Sequence, residues 1–142
     1  MLQSWLDGSR PVESRLFIDV RDVALAHYRA SQSPVVVGRR YILSHERRIP
    51  ASLLKSYLTE AIREICCRRD VLEKTKSELS DCITKLWCDD KFDGGSITVS
   101  VREVDASHLM RTDLGIECRG VKEIVRDAVY SLYTVSDSIT VT

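Results

Sequence analysis

The fold prediction depends on residues 16–27, which read LFIDVRDVALAH. The β-rich run 16–20 predicts a buried strand. Asp22 follows this run at a suitable N-cap position, so it predicts a helix over 23–30. A second β-rich run, RYILS at 40–44, predicts another strand. Strand, helix and strand in this order are typical of a parallel crossover unit, so the sequence predicts an α/β fold.

The remaining periodic segments predict mainly helix. Apolar spacing indicates helix over 50–87, and the polar break at Arg68 favours two packed helices over one coiled coil. Residues 97–104 alternate as a strand does, whereas 106–113 and 121–133 predict two more helices. Residues 136–142 are expected to form a flexible tail. No linker divides the chain, so 1–142 is predicted to be a single partial domain.

Composition and charge exclude several classes of protein. The 142 residues carry 21 Lys and Arg against 21 Asp and Glu, so nucleic acid is not an expected partner. Apolar runs are only a few residues long, and no membrane span is predicted. The five cysteines and three histidines lack zinc-site spacing, so no metal site is predicted. Reduced thiols indicate a soluble, cytoplasmic protein.

Three ordered blocks of sequence resemble one enzyme family. They comprise 16–27, the GRRYILS run at 38–44, and 104–116, where VDASH is followed by DLGI. This order resembles the extended short-chain dehydrogenases/reductases, in particular the NAD(P)-dependent epimerase/dehydratase and dihydroflavonol-4-reductase-like group. The closing helix, which carries Glu123, is similar to the last helix of that family. The resemblance implies the carboxyl-terminal portion of a Rossmann-like α/β enzyme, mostly helical with a few short strands.

Two motifs on which that family depends do not occur in the 142 residues. The six glycines do not form a glycine-rich turn, which lets backbone amides approach a pyrophosphate. None of the five tyrosines is followed by lysine at i+4, the arrangement that assists proton transfer. NAD(P) is therefore implied for the parent family, but this chain alone is expected to bind no cofactor and to have no catalytic residues.

Three residues are candidates for substrate binding. Glu13 and Arg15 precede the first predicted strand, where the resemblance implies the wall of the substrate pocket, although a solvated loop is the alternative. Arg21 lies between Asp19 and Asp22 at the carboxyl end of that strand, where α/β folds place ligands. A structural ion pair of Arg21 with a neighbouring acid is the favoured alternative.

These observations leave three functional hypotheses open. The first is the substrate-binding lobe of an NAD(P)-dependent oxidoreductase or epimerase that acts on a carbonyl or alcohol, inactive alone. The second is a non-catalytic interaction module, because the 40–44 strand lacks its expected neighbour and would leave an open edge for self-association or a partner chain. The third is a truncated product with no selected function.

Overall fold

The helix that follows residues 16–19 begins at Val20 in the computed structural model, which describes residues 1–69, 71–88 and 107–138. Asp19 is its N-cap, and its Oδ1 accepts the backbone N–H of Arg21 at 2.7 Å. Asp22 lies within the first turn, so its prediction as the cap is wrong. Val20 is the first residue of this helix. Its side chain is 78% exposed, so packing against neighbours does not stabilise it in a strand.

Within the described ranges, the chain forms six α-helices. They are α1 (Leu2–Leu6), α2 (Val20–Gln32), α3 (Ala51–Cys66), α4 (Glu73–Lys85), α5 (His108–Leu114) and α6 (Val121–Ser138). A 3-10 turn over Pro34–Val36 follows α2. No described helix combines the length and the apolar character that crossing a membrane requires.

The prediction of a Rossmann-like α/β fold is wrong. The described residues contain no strand or sheet, only isolated bridges between Val12 and Cys88 and between Arg15 and Ile49. The second bridge is antiparallel, with N···O distances of 3.1 and 2.7 Å. Segments 15–17 and 45–49 therefore meet in the opposite sense to a parallel crossover. Short apolar runs predict burial better than they predict a strand, and no third segment here completes a sheet.

Residues 40–44 are irregular and do not form a strand. The predicted open strand edge is therefore absent at these described residues. The backbone N–H of His45 donates to the carbonyl of Phe17 at 2.6 Å. This contact holds the run beside the segment that precedes α2, while Ile42 projects its side chain to solvent.

The main apolar core lies between α1, α3, α4 and α6. Leu54, Leu58 and Ile62 of α3 are fully buried there, and α3 packs against both α4 and α6. The prediction of two packed helices over 50–87 is confirmed, since α3 ends at Cys66 and α4 begins at Glu73. Val12 attaches the N-terminal segment to the end of α4, because its N–H donates to the Trp87 carbonyl at 2.8 Å.

The predicted helices near the carboxyl end are also present, with shifted bounds. The helix predicted over 106–113 is α5, and the one predicted over 121–133 is α6, which continues through Ser138. The tail predicted over 136–142 thus overlaps the end of α6, and 139–142 lie outside the described residues. The strand predicted over 97–104 also lies outside them.

Candidate functional site

A second, smaller core brings together the three sequence blocks singled out above. Its buried members are Ala26 of α2, Met110 and Leu114 of α5, and Ile116. Partly buried side chains from the other block segments, including Tyr41 and Leu43, pack against it. Segments separated by up to about a hundred positions therefore share one cluster, which we call the block unit: α2, residues 38–45, α5 and residues 115–119.

A buried carboxylate ties α2 to the segment before α6. Asp22 is 2% exposed. Its Oδ2 accepts the backbone N–H of Arg119 at 2.9 Å, and its Oδ1 accepts the Arg119 guanidinium. Burying a carboxylate is costly unless its charge is paired and its oxygens are hydrogen-bonded, and both conditions hold here. Asp22 is consequently a structural group in this fold.

Arg21 links the start of α2 to α6. Its Nε and Nη2 donate to the two carboxylate oxygens of Asp19 at 2.9 and 2.7 Å, and Nη2 also donates to Asp127 at 2.8 Å. The hydrogen bond from Arg21 lowers the pKa of Asp19 to about 2, and the same contact raises the pKa of Arg21. The guanidinium thus has the structural ion pairs that were favoured as the alternative to substrate binding.

A third group of polar contacts joins residues 38–45 and α2 to α5. Asp113 accepts Arg39 at 2.7 Å and the Tyr41 hydroxyl at 2.8 Å, and hydrogen bonding, that of Tyr41 first, lowers the pKa of Asp113. The Arg29 guanidinium donates to the Leu114 carbonyl at 2.8 Å, where α5 ends. A cation at this position satisfies a carbonyl that has no partner within the helix. These contacts fix the orientation of α5.

A polar cavity of about 260 Å³ opens beside the block unit. Its lining residues are His45, Glu46, Ser107, Met110, Arg111, Glu117 and Cys118. The Arg111 guanidinium donates to the Glu46 carboxylate and to Ser107 Oγ, the latter at 3.2 Å. The cavity therefore presents fixed hydrogen-bond donors next to the apolar side chain of Met110.

Two polar atoms near this cavity have no hydrogen-bond partner in the described part of the chain. They are the Ser44 hydroxyl oxygen and Nε2 of His45, both buried. The Ser44 carbonyl, in contrast, accepts the Cys118 thiol at 3.6 Å. Buried polar groups are seldom left unpaired in proteins, and such groups concentrate at functional positions. This loop is accordingly the strongest candidate for a functional segment.

The chemistry available at the cavity favours binding over nucleophilic attack. Burial raises the pKa of the Cys118 thiol, so the thiolate that acts as a nucleophile is disfavoured. Among the described residues, the thiol donates its hydrogen bond to the Ser44 carbonyl and not to an imidazole. Among the described residues, no group of three histidine, cysteine or acidic side chains is arranged to hold a metal ion.

The residues predicted to bind substrate lie elsewhere. Glu13 and Arg15 come together, with an N···O distance of 2.5 Å between the guanidinium and the carboxylate. Arg21 belongs to the ion pairs described above. None of the three lines the polar cavity. Their role in substrate binding stays a prediction.

Sequence reasoning missed the residues that do line the cavity. Arg111 lies within a predicted helix and carries no distinguishing signal there. Cys118 has no metal-site spacing in the sequence and is predicted there only to be a reduced thiol. One feature of the sequence could have pointed to Glu117 and Cys118: they directly follow the DLGI motif at 113–116.

Comparison of the chain with models of known protein families, with curated proteins and with solved structures gives no match. The resemblance to short-chain dehydrogenases/reductases therefore stays a prediction that depends on the sequence blocks themselves.

Proposed function

We propose that this chain is the substrate-binding lobe of a cytoplasmic NAD(P)-dependent oxidoreductase or epimerase that acts on a carbonyl or alcohol. One observation carries the proposal: the three blocks that resemble this enzyme family pack around one small core, beside a polar cavity. The lobe is helical, and the proposal requires no sheet within it.

The cavity suits the oxygen-bearing end of a small substrate. Arg111 and Ser107 line it with groups that can donate to a carbonyl or hydroxyl oxygen, and the buried side chain of Met110 forms an apolar part of its wall. Its volume of about 260 Å³ lies near the lower limit of small-molecule sites. It would therefore hold the reacting end of a substrate rather than a whole large molecule.

The hydride chemistry would come from NAD(P), because the cofactor performs this step while the protein orients the substrate. The 142 residues contain neither a glycine-rich phosphate-binding turn nor a Tyr-x-x-x-Lys motif. We therefore propose that NAD(P) is bound by a polypeptide region other than the residues described here. This lobe contributes pocket shape and orientation, and it is inactive alone.

The test is a backbone-amide NMR titration of the 142-residue chain with acetophenone and 1-phenylethanol, a carbonyl and its alcohol. We expect shifts at 45–46, 107–111 and 117–118. Arg111→Met should weaken binding about tenfold, the effect of losing roughly one charge-assisted hydrogen bond. Arg63→Met is the matched control, because exposed Arg63 lies on α3 and does not line this cavity.

Three results would contradict the proposal. The first is shifts spread over the chain with no concentration at the cavity, and the second is equal binding by the Arg111 and Arg63 variants. The third is oxidation of NADPH by the purified 142-residue chain in the presence of a carbonyl compound, because this lobe is proposed to be inactive alone.

The alternative function, a protein-interaction module, retains one supporting observation. Several apolar side chains on or next to the block unit are exposed, the most extreme being Val37 at 82%. The partner would be another polypeptide or a second copy of the chain. Light scattering after size exclusion tests this alternative by self-association. If the chain is such a module, its measured molar mass should rise with protein concentration, and the rise should be smaller in Val37→Ser. Leu72→Ser is the control, since Leu72 is 61% exposed outside the block unit.

A further inference from the structure

A second cavity, of about 460 Å³, lies between α1, α4 and α6, in a different part of the molecule from the polar cavity. Leu6 at the end of α1 and Leu132 of α6 form apolar parts of its wall. Its volume falls within the range of small-molecule sites. None of the sequence blocks contributes a residue to it.

The charge of this cavity is unbalanced. Its lining carries the carboxylates of Asp7, Glu78 and Asp81 against a single ammonium group, that of Lys85. Within the described residues Asp81 forms no ion pair, and the ammonium of Lys74 approaches Glu78 only to 4.0 Å. Carboxylates gathered at a concave surface concentrate cations from solution.

Acceptor oxygens also lie deeper in the same cavity. Thr75 is 6% exposed and lines it, and its hydroxyl forms no hydrogen bond with another described residue. Among the described residues, the hydrogen-bonding partner of the Tyr133 hydroxyl is the Cys82 sulfur, at 3.4 Å, and sulfur is a weak partner. Both oxygens can accept an N–H donor from a ligand.

We propose that the cavity between α1, α4 and α6 binds a small organic cation, a protonated amine attached to an apolar group about the size of one ring. The ammonium lies among the carboxylates and donates to the Thr75 hydroxyl. The apolar group packs against Leu6 and Leu132. The proposal does not depend on the oxidoreductase function, since the two cavities share no residue.

The experiment titrates the chain with 2-phenylethylammonium, and with 2-phenylethanol and phenylacetate as neutral and anionic analogues, by calorimetry and amide NMR. We expect the amine to bind at least about tenfold more tightly than the alcohol, and phenylacetate not to bind. Raising the salt concentration from about 20 to about 300 mM should weaken amine binding, because ions screen exposed charges.

Two variants and a matched control localise the effect. Asp81→Asn should weaken amine binding about fivefold, and Thr75→Val should weaken it while leaving the preference for the amine over the alcohol intact. Glu73→Gln is the control: it removes the same charge from the same helix, but Glu73 is highly exposed, pairs with Lys76 at 2.7 Å and does not line the cavity.

The proposal is overturned if the amine and the alcohol bind equally, or if the amine fails to bind at millimolar concentration. Equal weakening by Asp81→Asn and Glu73→Gln also overturns it, because that result assigns the effect to net charge rather than to the cavity. Amide shifts confined to the polar cavity would do the same.

Discussion

The helical core and the block unit are stabilised in different ways. In the core, large aliphatic side chains of α3 such as Leu54, Leu58 and Ile62 are completely buried. In the block unit the buried apolar side chains are few, and two buried carboxylates at the start of α2 bind guanidinium groups: Asp19 binds Arg21 of the same helix, and Asp22 binds Arg119 before α6. Apolar burial is non-directional, whereas hydrogen-bonded ion pairs fix distances and angles. The comparison teaches that apolar burial holds the helical core together, whereas ion pairs fix the position of α2 against the segment before α6.

The largest expected effect concerns the helical core. Leu58→Ala should lower the free energy of unfolding by about 2–5 kcal/mol, because it removes buried methyl groups and leaves a cavity. Leu53→Ala on the same helix should cost less than about 1 kcal/mol, since Leu53 is 39% exposed. Urea denaturation followed by circular dichroism measures both. Equal losses would show that α3 is not the centre of the core.

The second effect concerns the block unit. Asp22→Ala should cost about 2 kcal/mol, less than for a fully buried ion pair because the Arg119 side chain is about one-third exposed. Glu123→Ala should cost about 0–1 kcal/mol, since its carboxylate is solvent-exposed and lies 4.0 Å from Arg21. If Asp22→Ala is as harmless as Glu123→Ala, ion pairs do not hold the block unit and the comparison between the two regions fails.

The third prediction is a pH dependence to which Asp19, the N-cap of α2, contributes. The pKa of Asp19 is about 2 in the folded protein against an ordinary value of 3.8. A depressed carboxylate pKa gives stability that is present above the ordinary value and is lost as the pH falls towards 2.

Melting temperatures measured between pH 2 and pH 5 test this prediction. The loss should be smaller in Asp19→Asn than in the unmodified chain. A residual slope is expected in Asp19→Asn, because the pKa values of Asp113 and Asp127 are also lowered. An unchanged slope in Asp19→Asn would contradict the assignment.

The smallest effect sharpens the same comparison. Tyr41→Phe removes one hydrogen bond to Asp113 and should lower the free energy of unfolding by less than either change above. Tyr28→Phe is the control, because Tyr28 is largely exposed and its substitution should have almost no effect. Chemical denaturation at neutral pH measures the free energy of unfolding of both variants. If both variants lose the same free energy of unfolding, the loss comes from replacing any tyrosine by phenylalanine. It would then not come from the hydrogen bond between Tyr41 and Asp113.

The same two regions differ in how far the sequence predicts them. The period of apolar residues identifies α3, α4 and α6, and the polar break at Arg68 correctly separates α3 from α4. The run 16–20 predicts a strand because a short run rich in β-forming residues has the same sequence pattern whether or not it pairs with another strand. Only tertiary contacts decide that the segment stays extended up to Asp19, where α2 is capped.

The candidate site was harder to predict than the fold. The ion pairs of Arg21 were foreseen as an alternative because acids flank it in the sequence. Arg111 and Cys118 were not foreseen, since a single polar residue has no period and its partners lie far along the chain. The contact between Asp22 and Arg119 joins positions 97 residues apart, a separation over which local patterns carry no information.

The central claim is that the polar cavity of the block unit binds a small carbonyl or alcohol compound. Alkylation of cysteines by iodoacetamide, followed by mass spectrometry, tests it within one chain, because Cys118 lines the cavity and Cys67 is exposed elsewhere. The account predicts that saturating 1-phenylethanol slows alkylation of Cys118 at least about threefold and leaves Cys67 unchanged. Equal rates at Cys118 with and without the alcohol, at a concentration where binding is measured, would contradict it.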